Sequence, residues 1–204
     1  MLVLAFDTAT DVATVALVRD GDVLGERLST AARVLRAVDE LVADARAAPS
    51  DIEGIVVGRG PGRYTSLRMG LVTARALAFA LEAPVSGVST LEALAAGAGG
   101  ALPVVDARRQ EVFTLAGGTP RCVRPEDVRA SGQLCVGDGA VRYRIVLEGA
   151  GASVPADDDP RHVPWARHHA RLAAGFGDPA LVEPIYLRAP DADRTLARPD
   201  GVGT

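Results

Sequence analysis

A short apolar run that ends in aspartate and turns back into a second apolar run occurs twice in this chain. That repetition limits the possible architectures sharply. Leu2 to Asp7 is followed by Val12 to Val18, and Leu102 to Asp106 is followed, after the polar Arg108-Arg109-Gln110 turn, by Glu111 to Ala116. Continuous apolar runs of this length read as buried strands, and their tight connections read as antiparallel pairs. In the first half a third strand, Val23 to Leu28, extends the meander after the Arg19-Asp20-Gly21-Asp22 turn. The spacing then predicts an amphipathic helix over residues 31–48, a buried strand at Ile55 to Val57, and a second helix from Thr65 or Ser66 to about Glu82. A strand over 84–89 and a short helix over 90–96 complete this half. The fold class expected is therefore α/β with two related lobes.

The chain has 204 residues, one generous domain or two small lobes. Three glycines in Gly97-Ala-Gly-Gly100 mark a hinge, which divides the chain into lobes at 1–98 and 99–188, the second a reduced α/β unit. Residues 189–204, polar with two prolines and two glycines, read as a mobile tail.

Composition removes several chemistries. All 22 residues of the Lys+Arg total are arginine, so Schiff-base catalysis, a phosphate-loop lysine and a lysine general base are excluded. A net charge of -4 offers no general attraction to nucleic acid or anionic lipid. Cys122 and Cys135 are too few for a disulfide framework, and no apolar run approaches the ~20 residues of a membrane span, so a cytoplasmic location is expected. His162, His168 and His169 lack the i, i+4 spacing that would aim two imidazoles at one metal, and no Ser or Cys lies in a nucleophile motif.

Three features carry candidate chemistry. Gly58-Arg-Gly-Pro-Gly62 lies between a strand and a helix, where glycines let backbone approach an anion. Arg63 stands where a dinucleotide fingerprint needs glycine, and the competing reading is a rigid turn that sets how the helix leaves the sheet. Asp7 and Asp106, each closing a buried strand, could hold hydrated Mg²⁺ near a nucleotide with Thr8 and Thr10 as further oxygen donors, or could accept N–H bonds from their own turns. The second helix directs Leu67, Leu71, Ala74, Leu77, Ala78 and Leu81 to the sheet, yet Val72, Ala76 and Phe79 make its other flank apolar, beside Arg68 and Arg75. Such a helix needs cover on both sides, from another protein or from the first helix of the same chain.

Taken together, Leu4-Ala-Phe-Asp-Thr-Ala-Thr10, Val57 to Gly70, Val85 to Leu94, Pro103 to Arg109 and Pro184-Ile-Tyr-Leu-Arg188 resemble the bacterial TsaB (YeaZ) family over residues 2 to 188. The resemblance implies an actin-like ATPase (ribonuclease H-like) fold with a degenerate C-terminal lobe. It implies a non-catalytic scaffold that activates the TsaD threonylcarbamoyltransferase in tRNA N6-threonylcarbamoyladenosine formation. TsaE, an ATPase, would join them; a homodimer is a further expected state, and tRNA would be met only indirectly. No cofactor is required by this chain on that reading, ATP and Mg²⁺ belonging to the shared complex, with Asp7, Thr8 and Asp106 a vestigial nucleotide site. The partner interface expected on the two helices comprises Val34, Val38, Arg68, Val72, Arg75 and Phe79. The family loop commonly reads Gly-Pro-Gly-Ser-Phe-Thr-Gly-Leu-Arg, whereas this chain carries Arg63, Tyr64 and Ser66. The alternative from a different class is a small Mg-dependent ATPase or kinase of the actin-like superfamily using Asp7 and Asp106.

Overall fold

In a computed structural model that describes residues 1–187, strands β1 (Leu2–Asp7), β2 (Ala13–Arg19) and β3 (Asp22–Ser29) form an antiparallel meander. Two further strands, β4 (Gly54–Gly58) and β5 (Val85–Val88), add in parallel beside β1, giving the order β3-β2-β1-β4-β5. Helix α1 (Val34–Asp44) precedes β4 and α2 (Tyr64–Leu81) follows it. The second sheet is built from β6 (Leu102–Arg108), β7 (Glu111–Ala116), β8 (Thr119–Val123) and β9 (Cys135–Val136), in the order β8-β7-β6-β9. Here too three antiparallel strands are followed by a parallel one beside the first. The second sheet thus repeats the first with one strand fewer, which is the actin-like, ribonuclease H-like arrangement with a reduced second half.

Strand alternation decides what each face meets. Leu4 and Phe6 of β1, with Val15 and Leu17 of β2, pack under α1 and α2 against Val38, Leu41, Leu67 and Leu71. The other face carries Ala5, Ala16 and Val56, covered by Ala166 and Ala170 of α6 (Ala166–Leu172). Between β5 and β6, α3 (Thr90–Gly97) lays Leu91 and Leu94 on Val105, Ala107 and Phe113 of the second sheet. Because α6 also packs against α3, the helix pair joins the two sheets. The opposite face of the second sheet is covered by α4 (Asp138–Arg142) and α5 (Arg144–Gly149) through Ala140 and Leu147.

The helices follow the expected periodicity with one difference. The first begins as a 3-10 turn over Ala31–Arg33 and ends at Asp44, short of Ala48. Arg188 and the tail expected over 189–204 lie outside the described residues. Among those described, no helix is long and apolar enough to cross a membrane.

Candidate functional site

Asp7 closes β1 on the same face as Ala5, so strand alternation points its side chain at α6. It is fully buried and every oxygen is engaged inside the chain. Oδ1 accepts from the Ala9 amide at 2.6 Å, and Oδ2 accepts from Thr90 Oγ1 at 2.6 Å and from His169 Nε2 at 2.7 Å. Burial pushes the Asp7 carboxyl up, but the His169 imidazole, the Thr90 hydroxyl and the Ala9 amide outweigh it and hold the group below the ordinary carboxylate range. The His169 ring is itself oriented by Trp165, whose carbonyl lies 3.2 Å from Nδ1. This carboxylate does not fit a magnesium ligand, because a cation there would have to displace an imidazole and a hydroxyl from a dry interior.

The glycine loop serves the same packing. A Cβ at Gly58 would collide with the Asp7 carboxylate, and one at Gly62 with the Ala9 carbonyl, so these positions admit only glycine. The Arg63 amide donates to Ala9 O at 2.7 Å, and Thr8 Oγ1 donates to Ser66 O at 2.7 Å. Loop and helix start are thereby fastened to the β1–β2 turn.

Asp106 is placed elsewhere. It shares a face with Val104 and Val112 and looks toward α4, where Arg108 Nη1 lies 3.1 Å and Arg142 Nη1 3.5 Å from Oδ2. Its amide donates to Asp138 Oδ1 at 2.9 Å, and burial, joined by the negative charge of Asp106, pushes the Asp138 carboxyl up to about 6. Arg108 also reaches Asp11 at 3.1 Å, and Asp11 pairs with Arg63. The two aspartates expected to share a nucleotide site therefore belong to separate networks: one is sealed against α6, and the other sits in a chain of arginines and carboxylates that links the β1–β2 turn to the second sheet. The exposed pairs of Asp11 with Arg63 and Arg108 contribute roughly 0–1 kcal/mol each.

The residues expected at a partner interface also divide. Val34 and Val38 are buried against the first sheet, so the correction on α1 is that its exposed apolar side chain is Leu35. On α2 the stripe is open: Val72 is 63% and Phe79 88% exposed. Arg68 stacks over the Tyr64 ring at 5.2 Å, and Tyr64 lies 5.3 Å from the ring of Tyr186. Arg75 turns to the C-terminal segment, donating from Nη2 to Val182 O at 2.9 Å and from Nε to Pro179 O at 3.3 Å.

Comparison with known proteins places this geometry. Residues 29–133, about half of the chain, match the family described as TsaD, tRNA N6-adenosine threonylcarbamoyltransferase. The chain is 40% identical over 123 residues to the Bacillus subtilis tRNA threonylcarbamoyladenosine biosynthesis protein TsaB, covering 56% of this chain and 54% of that one. An uncharacterized Mycobacterium tuberculosis (H37Rv) protein is 37% identical over 201 residues, covering 93% of each. The structure of YeaZ from Pseudomonas aeruginosa superposes with a TM-score of 0.74 at 28% identity, covering 91% of this chain and 99% of that one. The chain belongs to the TsaB (YeaZ) family. Its alignment with the Bacillus subtilis TsaB spans about half the length of that relative.

Within this TsaB-family chain, sequence reasoning missed His169, Thr90 and the Pro179–Val182 carbonyls. The histidine lies 162 positions from Asp7, and only the odd-numbered face of β1 pointed toward a partner for that carboxylate. Arg63 and Tyr64, where the chain departs from the common family loop, have found local uses, one pairing with Asp11 and the other stacking on Tyr186.

Proposed function

We propose that this chain is a non-catalytic partner of the TsaD threonylcarbamoyltransferase, which it positions and activates for N6-threonylcarbamoyladenosine formation in tRNA. The observation that carries this reading is the uncovered apolar stripe of α2, where Val72 and Phe79 face water on a helix whose other side is built into the core. The names of the TsaB relatives and the match to the transferase family supply the partner. The non-catalytic half rests on Asp7: a carboxylate committed to His169, Thr90 and Ala9 has no capacity left for metal-nucleotide chemistry. On this reading residues 1–98 form the docking lobe, onto which the segment after Gly177 folds back, and the second sheet is a reduced relic. TsaE joins the pair, ATP and Mg²⁺ act at the shared complex, and tRNA reaches this subunit only through its partners, in keeping with a net charge of -4. The same face pairs two copies of the chain when the transferase is absent. The alternative of an independent Mg-dependent ATPase would require Asp7 to be freed.

The test is complex formation. Val72→Asp or Phe79→Asp should abolish co-purification with the transferase while circular dichroism of the isolated variant stays unchanged. A complex that survives both substitutions would overturn the placement on α2.

A further inference from the structure

Arg75 lies on the exposed side of α2, where a docking helix would be expected to present its cation outward. Its guanidinium is instead spent on the chain's own backbone, bridging the carbonyls of Pro179 and Val182. Those carbonyls belong to a segment that runs beside α2 in the opposite direction. Its start is pinned to β5 by reciprocal bonds between Val85 and Gly177 at 2.9 and 3.0 Å. Its far end is pinned by the Ile185 amide, which donates to Arg59 O at 2.7 Å, and by the stack of Tyr186 on Tyr64. The segment is thus fastened at its start, its middle and its far end, to β5, to α2 and to the glycine loop with the first residue of α2.

This placement adds apolar surface to the stripe rather than hiding it. Leu181, in the turn that follows Pro179 and Ala180, is 78% exposed, and Tyr186 stands open beside Val72. Between segment and helix runs a groove of about 930 Å³ walled by Phe79, Ala83, Pro84, Pro179 and Ala180, and a smaller hollow of about 250 Å³ lies by Tyr64, Pro184 and Tyr186. Glu82 and Asp178 rim the larger groove, and Arg75 keeps its charge while donating to the Pro179 and Val182 carbonyls. The surface therefore calls for an apolar ridge, with basic side chains at the end that meets Glu82 and Asp178.

We infer that Asp178–Tyr186 is the second half of the surface on which the transferase docks, and that Arg75 is the positioning residue that fixes this half against α2. The inference rests on the docking reading above. The occupant is the transferase's own counterpart of α2, because the stretch that matches the transferase family, residues 29–133, includes α2 entire with β4 and β5, the strands before and after it. A partner bearing the same helix in the same setting can lay it along this one, with side chains from its ridge entering the groove beside Phe79.

The experiment measures the affinity of the full chain for the full transferase of the same organism by calorimetry, for wild type and for Leu181→Asp, Arg75→Met, the double variant, and Ile145→Asp as an equally exposed apolar control on α5. Leu181→Asp and Arg75→Met should each weaken binding roughly tenfold or more, and Ile145→Asp should not. The double variant should lose little beyond either single change, because Arg75 acts through the segment that carries Leu181. If wild type binds and Val72→Asp breaks the complex, but Leu181→Asp and Arg75→Met bind like wild type, the inference is overturned and the docking reading stands. If both weaken binding but their losses simply add, the positioning role of Arg75 is overturned. If wild type does not bind the transferase at all, both readings fail together.

Discussion

At the scale of single residues, the Asp7–His169 pair decides how the interior between the sheets is organised. A buried carboxylate is tolerated only when its lone pairs are met, and here an amide, a hydroxyl and an imidazole meet them. His169→Ala leaves the charge without its main partner, so urea unfolding should show a loss of about 3–5 kcal/mol. A loss below ~1 kcal/mol would mean that the carboxyl is held by Thr90 and Ala9 alone. The adjacent His168 acts through pH. Burial, with the charges of Arg167 and Arg171 nearby, pushes its imidazole down to about 4, and its Nδ1 has no hydrogen-bond partner among the described residues. Between pH 6.5 and about 4 the unfolded chain takes up a proton that the folded chain refuses, so this group's share of stability falls as the pH drops through that window. Asp138, pushed up to about 6, has the opposite slope, since the folded chain protonates it first. The difference between wild type and His168→Leu isolates the histidine: the wild type should lose on the order of 3 kcal/mol more than the variant between pH 7 and pH 4. Parallel pH profiles would contradict it. Asp7 was legible in sequence because it ends an apolar run, whereas His169 was not, because nothing local marks a contact made across 162 positions.

At the scale of elements, the two long helices were legible and their surroundings were not. Period-3.6 spacing gave Leu67, Leu71, Ala74 and Ala78 of the buried face of α2, with Leu77 and Leu81 half-buried at its edge, and its apolar flank at Val72 and Phe79 remains uncovered by the described residues. The same reasoning treated Val34 and Val38 of α1 as available to a partner, but a helix against a sheet presents its most regular apolar row inward, and only Leu35 of that set stands out. Strand β8 escaped notice because Pro120 and Arg121 interrupt any apolar run; the Gly117-Gly118 pair before it, with φ of 58° and 81°, was the available hairpin signal. Helix α6 was hidden for a related reason. Its sequence, Ala-Arg-His-His-Ala-Arg-Leu, buries two histidines where apolar residues would have announced a core face. The glycine loop was read with two uses open, and its packing on Asp7 and Ala9 follows the steric one.

At the scale of the whole molecule, the duplicated strand-aspartate unit foretold two sheets of related order, and the topology bears this out with the second sheet one strand short. What the repeat could not convey is that its two aspartates face different surroundings. Asp7 looks toward α6 between the sheets and Asp106 toward α4, so the inherited symmetry of the backbone is not carried into a shared site. The closed first carboxylate and the bare face of α2 are the two features on which the proposed docking role rests. The most direct test is a reconstituted assay of N6-threonylcarbamoyladenosine formation on tRNA, run with the transferase and its other components in the presence and absence of this chain. Omitting the chain, or supplying it as Phe79→Asp, should lower product formation at least tenfold; an equal rate with and without the chain would contradict the account.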